Sequence, residues 1–176
     1  RAYIDTIQGY LNPRIYAALN LASTPILGIY GCTDSSAANY NPIATVDDSS
    51  CVYCTAAPYC ESFDFGFGTW TNNGWTNNNG GTASNGTGPT DDITGGGSYM
   101  YYETSGSPAN SVSIVSECLD ISSLATPTLS FYNHMYGSAI GTLNAYVNGD
   151  TVWTMSGDQG AQWNWIQVNL SAYGGQ

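Results

Sequence analysis

The sequence has almost no basic residues, and this limits what the protein can bind. It contains no lysine, and its two arginines, Arg1 and Arg14, stand against 13 acidic residues, so the formal net charge is −11. Nucleic acids and anionic lipid headgroups are held mainly by Lys and Arg, so this composition excludes both as partners. The same imbalance favours hard divalent cations, which take carboxylate and carbonyl oxygens, or it simply keeps the protein soluble in a salty medium.

Long apolar runs and paired catalytic residues are also missing. No apolar run approaches the ~20 residues that span a bilayer, so membrane insertion is not expected. The only histidine is His134, with no second histidine and no recognisable nucleophile motif, so we expect no enzyme activity. Because the first residue is Arg1 rather than Met, we expect a processed or partial piece of a longer protein.

Five cysteines are present, and their setting favours disulfides. Four of them lie in polar segments between positions 32 and 60, which suits an oxidising compartment. We predict the pairs Cys32–Cys51 and Cys60–Cys118, which leaves Cys54 to replace Cys60 or to pair outside the chain. A zinc site or a thioredoxin-like redox site at the Cys-x-x-Cys of 51–54 is the rival interpretation, but no second pair has the matching spacing for zinc.

Residues 31–55 form a small polar module around the expected Cys32–Cys51 bridge. Turn-forming residues dominate it, and the bridge would close a loop of about 20 residues, worth roughly 3 kcal/mol in the chain-entropy model. Its side-chain oxygens predict a calcium site, although a solvated loop of Asx-turns is the alternative. The candidate ligands are Asp34, Asn39, Asn41, Asp47 and Asp48.

The remainder divides into an N-terminal segment and a long β-region. Residues 1–30 read as a short helix or linker, or as the tail of a preceding domain, and 56–176 read as an all-β domain. Within it, 128–147 alternates apolar and polar residues and predicts two strands with a Gly-rich joint. Asn148-Gly149-Asp150 predicts a tight turn between two strands. The full set of predicted strands is Ser62–Phe65, Tyr99–Glu103, Ser111–Val115, Leu129–Met135, Thr142–Val147, Thr151–Met155 and Trp165–Leu170, with 72–86 as a polar loop.

The β-region resembles the MAM domain, named for meprin, the A5 antigen and a receptor tyrosine phosphatase. The resemblance rests on four segments in the family's order: FDFGFGTW at 63–70, GPTDDITGGGSYMYYETSG at 88–106, SECLDISSLATPTLSFYNHMYGSAIGTLNAYV at 116–147 and WTMSGDQGAQWNWIQVNLSAY at 153–173. It implies a jelly-roll β-sandwich that is used for adhesion or subunit association outside the cell, with the two strands at 128–147 as its central hairpin. The sequence of the β-region is most similar to MAM domains of secreted bacterial surface proteins. Residues 31–53 are distantly similar to thrombospondin type 3 calcium repeats.

The resemblance also implies particular site residues. Asp64, Asp92 and Thr94 match positions that lie near a bound cation in some relatives, so calcium is expected there, with turn capping as the alternative. Family members continue with further strands past a position like Gln176, so we expect the sandwich to be C-terminally incomplete here, with open sheet edges. Asn85 begins a glycosylation sequon in the polar loop.

These observations predict an extracellular, non-enzymatic adhesion or assembly module, stabilised by disulfides and calcium. Its expected partners are proteins or further copies of itself, joined through sheet edges, and a filament subunit is one form of this. The alternative is a carbohydrate-binding module appended to a secreted hydrolase, because exposed tryptophans on a jelly roll can stack on sugars.

Overall fold

The computed structural model describes residues 28–105 and 111–174, and the chain divides into two compact units, Arg1–Tyr53 and Cys54–Gln176. The described residues form twelve β-strands and one short 3-10 helix, Ser171–Tyr173, which confirms the predicted all-β sandwich class. The N-terminal helix or linker predicted for 1–30 lies almost wholly outside the described residues. Within the described ranges, no helix has the length and apolar character needed to cross a membrane.

The described part of the first unit, residues 28–53, is a small loop module that hydrogen bonds and one disulfide hold together. Strands β1 (Tyr30–Gly31) and β2 (Val46–Asp47) pair in parallel, and the Cys32–Cys51 disulfide closes the loop as predicted. Between residues 28 and 53, the only buried apolar residues are Cys32, which is 1% exposed, and Ala37, which is 7% exposed. A segment this short and polar depends on such covalent and hydrogen-bonded constraints for its order.

Ten strands lie in the described part of the second unit, and they pair two by two. They are β3 (Thr55–Ala56), β4 (Thr71–Asn73), β5 (Thr76–Asn79), β6 (Ser98–Tyr101), β7 (Ser113–Val115), β8 (Leu119–Asp120), β9 (Thr128–His134), β10 (Thr142–Val147), β11 (Asp150–Ser156) and β12 (Trp163–Asn169). Ladders β4–β7, β5–β6, β9–β12 and β10–β11 are antiparallel, and the ladder β3–β8 is parallel.

Aromatic side chains join the ladders of this unit. Phe131 of β9 meets Trp153 of β11 edge to face, with ring centroids 5.2 Å apart, and Tyr99 of β6 meets Trp163 of β12 at 5.6 Å. Edge-to-face pairs at these distances are favourable beyond the area they bury. Tyr99, Met135 and Leu170 are the apolar residues most completely removed from solvent among the described part of this unit.

The strands predicted at 128–147 are present, but their predicted pairing as a central hairpin is wrong. Strand β9 pairs with β12, from His134 opposite Trp163 to Thr128 opposite Asn169, whereas β10 pairs with β11. Alternation identifies a strand with one buried face but contains no information about its partner. Only the tight turn at 148–150 fixed a pairing locally, and the β10–β11 hairpin confirms it.

Two other predictions in this region are wrong. Ser62–Phe65 is a turn, because Phe63 adopts a φ of 63° and its carbonyl accepts a hydrogen bond from the Gly66 amide. The stretch 72–86, predicted to be entirely loop, contains most of β4 and all of β5. Asn72 joins these two strands, since its side chain donates to the carbonyl of Trp75 and accepts from the Trp75 amide.

The predicted Cys60–Cys118 disulfide is also wrong, because Cys118 bonds to Cys54. Strands β3 and β8 run side by side, and the Thr55 amide donates to the Cys118 carbonyl at 2.9 Å, which brings Cys54 and Cys118 together. Cys60 carries a free, exposed thiol. The structure therefore agrees with the alternative prediction, in which Cys54 takes the place of Cys60 as the disulfide partner of Cys118.

Candidate functional site

Two carboxylates predicted as cation ligands, Asp64 and Asp92, lie against the same short stretch of backbone. Asp64 Oδ1 accepts a hydrogen bond from the Ser98 amide at 2.8 Å. A Cβ atom placed on Gly97 would collide with Asp64 Oδ1 and would come within 2.7 Å of Asp92 Oδ2. Glycine at 97 therefore lets both carboxylates approach the loop that leads into β6.

Asp92 organises this loop through an unusually large number of hydrogen bonds. Its Oδ1 accepts from the amides of Gly95, Gly96 and Gly97 at 2.7–3.0 Å, and its Oδ2 accepts from the amide and hydroxyl of Thr94. The Thr94 hydroxyl, followed by the backbone donors, holds the pKa of Asp92 far below its usual range, because these donors stabilise the charged form.

This geometry is turn capping, which is the alternative that the sequence left open for Asp92 and Thr94. Asp92 has both oxygens engaged, whereas Asp64 Oδ2 accepts no hydrogen bond from the described residues. No group of three or more His, Cys, Asp or Glu side chains in the described ranges is arranged to hold a metal ion. A cation at this pair would need carbonyl or water oxygens in addition, so calcium here stays a prediction.

The oxygen-rich side chains of the loop module are likewise used locally. Asp34 accepts from the Ser36 amide and hydroxyl and from the Tyr53 hydroxyl, and the Ser36 bonds, followed by the Tyr53 bond, lower its pKa. Asn41 and Asp47 each accept an amide two residues further on, from Ile43 and Ser49. These are Asx-turns of the kind that compete with regular structure.

Asn39 and Asp48 complete the same arrangement. Asn39 joins two parts of the module, since its amide donates to the Ser50 carbonyl and its oxygen accepts from the Val52 amide. Asp48 accepts from the Ser50 amide, and hydrogen bonding by Ser50 lowers the pKa of Asp48. The structure therefore explains each candidate ligand as a structural residue, and a calcium ion in this loop stays a prediction.

His134 and Asn85 lie in unrelated parts of the second unit. His134 sits at the end of β9 with its ring 5.4 Å from that of Trp163, and burial lowers its pKa. Its Nδ1 is buried without a hydrogen-bond partner among the described residues. Asn85 lies on an exposed turn, where a glycan could be attached without disturbing a strand, and this also stays a prediction.

The sequence did not single out the pair Tyr132 and Trp165. The β9–β12 register places the two rings side by side on one face, 4.6 Å apart between centroids, and the residues are 46% and 50% exposed. Both occupy the face of their strands opposite to the apolar one. That position was visible from alternation, but their proximity depends on a pairing between strands that are distant in sequence.

Comparison with protein families gives one match that covers most of the second unit. The family described as "MAM domain, meprin/A5/mu" matches residues 60–176. This interval contains the four segments on which the resemblance rests, together with Asp64, Asp92 and the Tyr132–Trp165 pair.

Curated relatives match about half of the chain. The chain is 38% identical over 103 residues to human "MAM domain-containing glycosylphosphatidylinositol anchor protein 2", with 48% of this chain and 11% of that protein covered. It is 34% identical over 91 residues to "Neuropilin-1" of Xenopus laevis, covering 48% and 10%. The chain therefore spans about a tenth of the length of these relatives.

Proposed function

The chain belongs to the MAM domain family, and from this membership we propose that it is a non-enzymatic adhesion module of an extracellular protein. The single observation that carries the proposal is the family match over 60–176, with relatives named as a neuropilin and as a protein with a glycosylphosphatidylinositol anchor. Two disulfides support an oxidising, extracellular setting.

The partners that we propose are proteins, including further copies of this chain. Strands β9 and β12 are seven residues long, and each pairs with only one neighbour among the described residues, so each has an edge on which another strand can add. Strand addition between copies would produce a chain of subunits, and a filament is the extended form of that assembly.

The kind of longer protein to which this chain belongs is also a proposal. The resemblance motivates a secreted bacterial surface protein, but the curated relatives named above are vertebrate proteins and lend no support to that assignment. The similarity of the loop module to thrombospondin type 3 repeats rests on its acidic, Cys-bracketed sequence alone.

A bead-aggregation assay with the complete 176-residue chain tests the adhesion proposal. Beads coated with the folded chain should clump, soluble chain should compete, and beads coated with reduced and alkylated chain serve as the unfolded control. Sedimentation velocity on the soluble chain should show a concentration-dependent increase in mass. If the beads stay dispersed and the soluble chain is strictly monomeric, the proposed self-association is wrong.

We also propose that Ca²⁺ stabilises the module, with Asp64 and Asp92 as the first candidates and the loop residues as the second. Oxygen ligands and a net charge of −11 support this choice of ion. Calcium at a hundred times its dissociation constant would raise the free energy of unfolding by about 2.7 kcal/mol. Thermal melting with EDTA and with calcium up to about 10 mM, above the range typical of extracellular modules, measures the effect.

Two variants separate the candidate calcium sites. Asp64→Asn should abolish the calcium-dependent rise in Tm if the ion lies in the second unit, and Asp34→Asn should abolish it if the ion lies in the loop module. A wild-type Tm that is the same with EDTA and with calcium contradicts both.

A further inference from the structure

One face of the β9–β12 ladder carries exposed aromatic and polar side chains without any charge. On this face, Tyr132 lies beside Trp165, Ser130 opposite Gln167, and Thr128 opposite Asn169. We call these six residues the aromatic strip; all of them are exposed. The next pair, His134 and Trp163, is partly covered, since Trp163 contacts Tyr99 and donates to the Asp91 carbonyl.

The aromatic strip has unused hydrogen-bonding capacity next to its two rings. The side chains of Ser130 and Gln167 make no hydrogen bond to any described residue, and the Nδ2 of Asn169 is not engaged, since only its oxygen accepts, from the Ser171 amide. A half-exposed ring pair beside free hydroxyl and amide groups suits a ligand with apolar C–H faces and many hydroxyls.

Charge narrows the class of ligand. The chain carries 13 acidic residues, yet no residue on this face of the β9–β12 ladder is charged. An anionic ligand would be repelled by the rest of the molecule, and a cationic one would find no carboxylate on the strip. An uncharged ligand matches both facts.

The dimensions of the aromatic strip suit a small ligand. Four residue steps along the strands and two strands across give a surface about 13 Å long and about 10 Å wide, or about 130 Å². A short run of sugar rings fits the available surface.

We propose that the aromatic strip binds neutral pyranose glycans, with the rings of Tyr132 and Trp165 stacking on sugar faces and Gln167 and Ser130 bonding their hydroxyls. This goes beyond the proposed protein adhesion, because it concerns a different ligand on a strand face rather than at a strand edge. The two activities are separable by substitution of exposed residues.

Affinity gel electrophoresis of the complete chain tests the proposal with defined probes. The gels contain a neutral glucan, mannan or galactan, or an acidic polyuronate. The wild type should be retarded by at least one neutral polysaccharide and not by the polyuronate. Trp165→Ala and Tyr132→Ala should each weaken that retardation about tenfold or more, and Gln167→Ala should weaken it less.

Tyr146→Ala is the matched control, since Tyr146 is 60% exposed but lies on β10, outside the strip. Tyr146→Ala should leave retardation unchanged. Trp165→Phe, which keeps a ring, should retain part of the binding. Thermal melting should show that every variant is folded.

Three results would overturn the proposal. They are no retardation of the wild type by any neutral polysaccharide, retardation by the polyuronate alone, and full retardation of folded Trp165→Ala and Tyr132→Ala variants. Loss of self-association in those variants, without glycan binding by the wild type, would assign the strip to a second copy instead.

Discussion

At the scale of single residues, the most consequential side chain outside the candidate sites is His134. It is the only histidine in the chain, it lies against Trp163, and its buried Nδ1 has no hydrogen-bond partner in the described ranges. Burial disfavours the charged imidazolium and lowers the pKa of His134 below its ordinary value of about 6.5. Protonation therefore favours the unfolded chain.

This gives a pH dependence with a definite sign. Above about pH 6.5 the imidazole is neutral in both states and stability is fully present; as the pH falls further, the unfolded chain takes up the proton first and stability is lost. The slope can reach at most about 1.4 kcal/mol per pH unit. Urea unfolding at pH 7 and pH 5 should show a lower free energy of unfolding at pH 5.

His134→Phe provides the control for that measurement, because it keeps an aromatic ring against Trp163 and removes the titrating group. The variant should show little change between pH 7 and pH 5, since no other side chain ordinarily titrates in that range. An equal loss of stability in the variant would show that His134 is not the cause.

The sequence predicts which cysteines and carboxylates matter better than it predicts what each of them contacts. The cysteine count correctly predicted two bridges and the Cys32–Cys51 pair, but it chose Cys60 over Cys54 as the partner of Cys118. The parallel pairing of β3 with β8 places Cys54, rather than Cys60, next to Cys118. This pairing cannot be predicted from the spacing of the cysteines in the sequence. Similarly, the resemblance pointed to Asp64 and Asp92, but the five donors around Asp92 became apparent only from the folded loop.

At the scale of elements, the turn between β10 and β11 is the feature with the most local cause. Asn148 and Gly149 have φ values of 51° and 90°, in the left-handed region that two-residue hairpins of this kind require. A Cβ on Gly149 would meet no atom within 4 Å, so replacing this glycine changes backbone strain without creating a clash.

Gly149→Ala should therefore destabilise the protein by about 1 kcal/mol, the cost of a left-handed conformation for a residue with a Cβ. Gly149→Asn should cost less, because Asn tolerates this region. Gly141→Ala is the matched control, since Gly141 precedes β10, also has open space around its Cβ position and is outside the left-handed region. Equal Tm values for the two alanine variants would contradict the strain argument.

The elements also show where sequence patterns stop being informative. Strands β9 to β12 alternate apolar and polar residues and were predicted within a few residues of their observed bounds. Strands β4 and β5 have the sequences TNN and TNNN, which contain no apolar residue, so the sequence predicts a loop there. They are strands because they pair with β7 and β6, a tertiary effect that overrides low β-propensity.

At the scale of the whole molecule, charge controls how copies approach one another. With a net charge of −11 and an isoelectric point of about 4.1, two copies repel at neutral pH. Salt shortens the range of this repulsion to about 10 Å at 0.1 M and about 3 Å at 1 M. The backbone hydrogen bonds of strand addition are affected much less.

The proposed self-association should consequently increase with ionic strength at neutral pH. Sedimentation velocity in low salt and in about 0.5 M sodium chloride, where screening is nearly complete, measures the change in average mass. Sodium sulfate at equal ionic strength separates screening from a strengthened hydrophobic effect, which only the sulfate adds. Association that weakens with added salt would indicate an interface built on ion pairs, contrary to strand addition.

The Cys54–Cys118 disulfide has a further consequence when an adhesion module carries mechanical load. The bond bypasses a sequence separation of 64 residues, so a pulling force applied at the two ends cannot extend that segment. About 220 Å of contour length stays locked, at roughly 3.4 Å per extended residue. Both Asp64 and Asp92 lie within the locked segment, whereas Tyr132 and Trp165 lie beyond it. Under tension, the chain around the two carboxylates therefore cannot be drawn out to its contour length, whereas the strands of the aromatic strip can, and reduction of the disulfide would remove that difference.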